Sequence, residues 1–210
     1  LFEAFQTPND ILITFEEFDH YRRVNKKYYG SIAVTLPVID LKWPDSPLPK
    51  VFVYLRNFDG IHIILDQLAE FKANIIIYMP DVYLAKYESQ LSSMTVSKSP
   101  INTKLLIKDA AAVVTNGGMS ITLESMLAGV PLILIPLYVE QLITKNNVER
   151  LHIGLGCIHS EPYRFKHRLD FILNSPEVKS ASERLKTKYK DFCSETALED
   201  IISIIERSTK

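Results

Sequence analysis

The chain has 210 residues, of which 47% are hydrophobic and 23% charged, with a formal net charge of −1. This composition fits a soluble globular protein with one large or two small cores and argues against disorder. The near-zero charge also removes the electrostatic case for nucleic acid as a partner, since the basic and aromatic run Tyr21 to Tyr29 reads as a solvated segment rather than as part of a basic surface.

In chain order, Ile11 to Phe15 reads as a buried strand and Ser31 to Val34 as a second. Pro37, Pro44, Pro47 and Pro49 then interrupt a stretch around Trp43 that can be neither continuous helix nor central strand. It is expected to be a linker lying on a surface, with a boundary near Lys50 that separates residues 1–49 from residues 50–210. From there the pattern alternates: strand Val51 to Tyr54, helix Gly60 to Phe71, strand Asn74 to Met79, helix Asp81 to Leu91, then a weak strand near Thr95 to Ser97. A short helix near Lys104 to Lys108, strand Ala111 to Thr115, helix Ser120 to Ala128, strand Leu132 to Ile135, helix Gln141 to Leu151 and a last strand near Gly156 to Ile158 complete it. Strands alternating with helices predict right-handed crossovers and a parallel sheet covered on both faces, an α/β, doubly wound, Rossmann-like fold. Beyond Glu161 three helices are expected, Tyr163 to Leu173, Pro176 to Phe192 and Thr196 to Ile205, the last with an apolar stripe at Leu198, Ile201, Ile202 and Ile205.

In a sheet of this kind ligands sit at the carboxyl ends of the strands, here Leu55 to Asp59, Thr115 to Ser120 and Pro136 to Gln141. The middle segment carries the strongest signal. Asn116-Gly117-Gly118 is a turn in which backbone N–H groups converge, directly before a helix, so an anion placed there would meet unpaired donors and the positive end of the helix dipole. Gly129-Val130-Pro131 then stops the helix.

Cys157 and Cys193 have neither metal-ligand spacing nor a disulfide framework, and His152, His159 and His167 show no zinc-binding spacing. No metal site and a reducing, cytoplasmic compartment are the expectations. The most apolar stretch, Gly129 to Val139, is broken by Pro131 and Pro136 and is shorter than the roughly 20 residues that span a bilayer. No signal peptide is visible, and a start at Leu1 reads as part of a longer chain.

The string Asn116-Gly117-Gly118, Thr122-Leu123-Glu124-Ser125, Gly129-Val130-Pro131, Pro136 and Glu140-Gln141 resembles the C-terminal, donor-binding domain of the two-domain glycosyltransferases of the GT-B fold, those using nucleotide-diphosphate sugars in particular. Trp43-Pro44 and Val51 to Tyr54 look like that family's interdomain linker and first C-domain strand, and Ile11 to Tyr21 like the end of its N-terminal domain. The resemblance implies a donor diphosphate at Asn116, Gly117, Gly118, Ser120 and Thr122, ribose hydroxyls on Glu124, and the transferred sugar on Glu140 and Gln141. It further implies an inverting hexosyltransferase that needs no cofactor, takes a UDP- or dTDP-linked sugar as substrate and a small molecule or lipid as acceptor, and works in the cytoplasm or at a membrane periphery. The catalytic base would belong to an N-terminal domain that this chain lacks.

Three departures stand beside the match. Asn116 occupies the place of a phosphate-contacting His, Ile121 that of a hydroxyl, and Lys98, Ser99 and Pro100 stand where the family has a Trp-x-Pro-Gln sequence. His20 comes too late to be the family's base and is expected to pack or hydrogen bond. His62, at a helix start, reads as a surface residue. Arg56, Asn57 and Asp59 face the ligand end by topology, with loop solvation an equal reading. A noncatalytic nucleotide-sugar-binding or interaction module and a nucleotide-sugar epimerase of related fold remain the alternatives.

Overall fold

The computed structural model describes residues 10–21, 23–32, 38–80, 84–158 and 160–208. Six strands form one parallel sheet in the order β3-β2-β1-β4-β5-β6, with β1 Lys50–Tyr54, β2 Asn74–Tyr78, β3 Thr95–Ser97, β4 Ala112–Thr115, β5 Leu132–Leu134 and β6 Gly154–Gly156. The chain leaves β1 toward one edge, returns to the other side of β1 at β4, and so reverses direction between these two neighbours. Their carboxyl ends therefore part around a crevice, with Tyr54 opposite Thr115.

Every strand interior is apolar because both faces are covered. Val51, Val53, Ile75, Ile77, Ala112, Val114 and Ile133 point into one core with α1 (Ile61–Ala69), α2 (Glu88–Leu91) and α6 (Phe165–Asn174). Phe52, Ile76, Val113, Leu132 and Leu134 point into the other, with α3 (Thr103–Lys108), α4 (Met119–Ala128), α5 (Val139–Arg150) and α7 (Pro176–Lys188). The alternation along each strand is the two-residue period of the pleat read from both sides. Each Val, Ile, Leu or Phe among them removed from water contributes about 1.5–3 kcal/mol, which fixes the strand register.

The elements between Lys50 and Leu134 lie within two residues of their predicted bounds, apart from the segment predicted as helix Asp81 to Leu91. Residues 81–83 lie outside the described set, and the remainder of that segment is a 3-10 turn, Leu84–Tyr87, and the single turn of α2. Two other predictions are corrected. Ile11 to Phe15 is not a strand: Leu12 makes one isolated bridge with Tyr28, and Phe15 leads into a 3-10 turn at Glu16–Phe18. The last strand ends at Gly156 and begins two residues earlier than predicted, since Leu132 to Leu134 pair with Gly154 to Gly156. The predicted strand Ser31 to Val34 falls partly outside the described residues. The last helix, α8, runs over Ser194–Ser208.

Phe15 and Phe18 are buried against the second core, with the Phe15 ring 4.2 Å from that of Tyr189 and 5.0 Å from that of Phe192. The turn from Phe15 to Phe18 is thus seated on the α7 side of the sheet. Glu17 pins it there: its carboxylate accepts from Lys188 Nζ at 2.5 Å and from the Tyr189 hydroxyl at 2.5 Å, and its carbonyl accepts from Arg150 at 2.9 Å.

Candidate functional site

The turn after β4 is built by residues that face three strand ends at once. Asn116 is 5% exposed. Its Oδ1 accepts from the Arg56 amide, just past β1, at 2.7 Å, and its Nδ2 donates to the Ile135 carbonyl, just past β5, at 2.9 Å. The side chain therefore ties together the loops after β1, β4 and β5 and is committed to backbone on both sides.

Gly117 follows at φ +93°, with Leu134 Cδ2 and the Gln141 carbonyl oxygen packed where a Cβ would stand. This close approach brings the two sequence-predicted regions, the glycine turn and the Glu-Gln pair, against each other. Gly118 is exposed and is the N-cap of α4, where no side chain caps the helix. The first four N–H groups of such a helix have no intrahelical acceptor, so the α4 start presents uncapped donors and the positive helix end at the mouth of the crevice. Ser120 is exposed in that first turn. Thr122 is fully buried and its hydroxyl donates to the Gly118 carbonyl at 2.8 Å, so its side chain tightens the turn and is closed to a ligand.

One and a half turns along α4, half-buried Glu124 accepts from the Thr103 hydroxyl at 2.6 Å. It lines a cleft of about 290 Å³ together with Lys104, Leu127 and the start of α8. Glu140 is exposed in the first turn of α5. Gln141, three residues past the N-cap Tyr138, turns its Oε1 back to accept the Leu137 amide at 2.8 Å, a capping contact that fixes the helix entry and leaves Nε2 as a donor. Tyr138, Val139 and Leu142 form an exposed apolar rim beside it. The Gln141 cap and the Glu124 to Thr103 contact were invisible in sequence; the latter joins residues 21 positions apart on different helices.

His20 Nε2 lies 3.5 Å from the Thr144 hydroxyl, whereas His62, His152 and His167 are exposed and His159 lies outside the described residues. Among the described residues no group of three or more His, Cys, Asp or Glu is placed to hold a metal ion, and no helix is long and apolar enough to cross a membrane. Cys157 is buried and Cys193 exposed, both as free thiols.

Solved structures with this architecture share one description. CalG4, the calicheamicin glycosyltransferase, superposes with a TM-score of 0.76 and 17% identity over 98% of this chain and 54% of its own. The glycosyltransferase VinC, solved in complex with dTDP, superposes with a TM-score of 0.68 and 16% identity over 81% of this chain and 45% of its own. The fold is that of a GT-B glycosyltransferase domain. In sequence, the chain is 25% identical over 186 residues to the UDP-glucosyltransferase avaP of Aspergillus versicolor, covering 84% of this chain and 40% of that protein. It is also 39% identical over 64 residues to the NDP-glycosyltransferase YjiC of Bacillus subtilis, covering 30% of this chain and 16% of that protein. No protein-family model matches. The chain spans about half the length of these solved structures and less than half of the curated relatives.

Proposed function

We propose that this chain is the C-terminal, donor-binding part of an inverting glycosyltransferase that moves a hexose from a nucleotide-diphosphate sugar to an acceptor. Residues 50–210 form the donor-binding unit, and residues 1–49 are the tail of a preceding domain and the linker. The observation that carries this reading is the uncapped start of α4 at the strand-order reversal, with exposed Gly118 at its tip and Gln141 packed against Gly117. A diphosphate seated there would be met by backbone N–H groups and the helix dipole, which stabilise the charge that develops on the leaving nucleotide without a metal ion. Asn116 then shapes the site and adds no charge to it. Glu124 faces the ribose, Ser120 the phosphates or sugar, and Glu140 with the Gln141 amide the sugar hydroxyls. The base that deprotonates the acceptor belongs to the domain preceding this one.

Calorimetric titration with UDP, dTDP and their sugars, beside the free nucleosides, tests the proposal. Binding is expected to require the diphosphate and to weaken at least tenfold in Asn116→Asp, which brings a carboxylate to the turn and loses the donor to Ile135. No uptake of a nucleoside diphosphate at millimolar concentration would overturn the donor-site reading and leave the interaction module.

A further inference from the structure

Glu124 is held before any ligand arrives. Its Oε2 accepts from the Thr103 hydroxyl at 2.6 Å, Oε1 has no partner among the described residues, and the residue lines the cleft that Lys104 and Leu127 share. Thr103 is the first residue of α3, yet its hydroxyl is not the cap of that helix: Asn102 is the N-cap, and its side chain accepts the Leu105 amide at 3.4 Å. The hydroxyl is therefore free to serve another element, and α3 and α4 pack side by side to bring it there. A carboxylate on an otherwise half-buried helix face can sample several rotamers; a hydrogen bond to one oxygen selects one and fixes where the other oxygen points.

We infer that Thr103 is a positioning residue that aims Glu124 at the ribose hydroxyls and so sets the preference for ribo- over 2′-deoxyribonucleoside diphosphates. This rests on the donor-site reading above. With one carboxylate oxygen fixed by Thr103, the other has the lone pairs to accept from two neighbouring hydroxyls of one sugar; a 2′-deoxy sugar forfeits one of these bonds.

The test is calorimetric titration of the chain with UDP and with 2′-deoxy-UDP, in wild type, Thr103→Val, Thr103→Ser and Glu124→Gln, with unfolding midpoints recorded for each. Thr103→Val keeps the shape and the Asn102 cap, and is expected to bind UDP about tenfold more weakly, the size of one charge-assisted hydrogen bond. Its preference for UDP over 2′-deoxy-UDP should collapse to that of Glu124→Gln, and Thr103→Ser should restore both affinity and preference. If Thr103→Val leaves UDP affinity unchanged, or lowers the two nucleotides equally, Thr103 only packs α3 against α4 and the inference is wrong while the donor site stands. If wild type binds neither nucleotide, the donor-site reading itself fails and takes the inference with it.

Discussion

At Gly117 the backbone sits at φ +93°, and a Cβ would meet Leu134 Cδ2 at 3.0 Å and the Gln141 carbonyl oxygen at 3.4 Å. At Gly118 the backbone has φ −59° and ψ 136°, and the nearest atom to an added Cβ is Ile121 Cγ2 at 4.0 Å. The neighbouring glycines thus differ in kind: the first is required by backbone and packing, and the second is small where a ligand would approach. Gly117→Ala is expected to cost about 1–3 kcal/mol, and Gly118→Ala to change stability by less than about 1 kcal/mol, with a gain allowed because the substitution restricts the unfolded chain. Urea unfolding of the two variants measures the contrast. Equal losses would mean that the open space over Gly118 is filled in solution. The sequence showed two glycines before a helix, and the physics of anion binding followed from that alone. Which glycine is obligatory did not, because the reason lies in Leu134 and Gln141 on other elements. Asn116 is similar: its identity was legible, but its commitment to Arg56 and Ile135 depends on three strand ends meeting.

Between elements, the clearest electrostatic contact joins segment 10–32 to α7. Burial alone would raise the Glu17 pKa, but hydrogen bonds from Lys188 and Tyr189 outweigh it and hold the carboxyl below its ordinary value. The same burial and hydrogen bond push the Tyr189 phenol upward, so it stays a donor throughout the working range. With its folded pKa depressed, Glu17 stabilises the fold fully above the unfolded carboxylate pKa of about 4.3, and this contribution is lost as pH falls through the folded value. Glu17→Gln is expected to be less stable than wild type at pH 7 and to flatten the loss of stability below about pH 4.5, read from urea midpoints at a series of pH values. A variant whose stability falls as steeply in acid as wild type would show that Glu17 is not ionically engaged. None of this could be read locally, since Glu17 and Lys188 are 171 positions apart. The same distance explains the misread strand at Ile11 to Phe15, whose apolar run is spent on Phe15 reaching Tyr189 and Phe192 rather than on a ladder. By contrast β1, β2, β4 and β5 were legible because burial on both faces leaves unbroken apolar runs. β6 has glycine at both ends, Gly154 and Gly156, and offers no such signal.

For the whole molecule, sheet order and the glycine turn converge on one end of the sheet. The strand order reverses between β1 and β4, the uncapped start of α4 rises from β4, and the α5 start lies beside it with Gln141 packed against Gly117. The larger clefts lie elsewhere, one of about 610 Å³ near Gly154, Phe171 and Arg184 at the opposite end of the strands and another of about 620 Å³ between α1 and α6. Size and chemistry thus disagree about where a ligand sits. The open crevice is favoured because the α4 start leaves its donors uncapped there, whereas the larger clefts offer no comparable set of backbone donors. The most direct test is backbone amide mapping by nuclear magnetic resonance during titration with UDP or dTDP. A donor site at the α4 start predicts saturating shifts at the amides of Gly118, Met119, Ser120 and Ile121, joined by the Gln141 side-chain amide when the nucleotide carries its sugar. Shifts confined to His152, Gly154, Leu155 and Phe171, or to the face between α1 and α6, would contradict it.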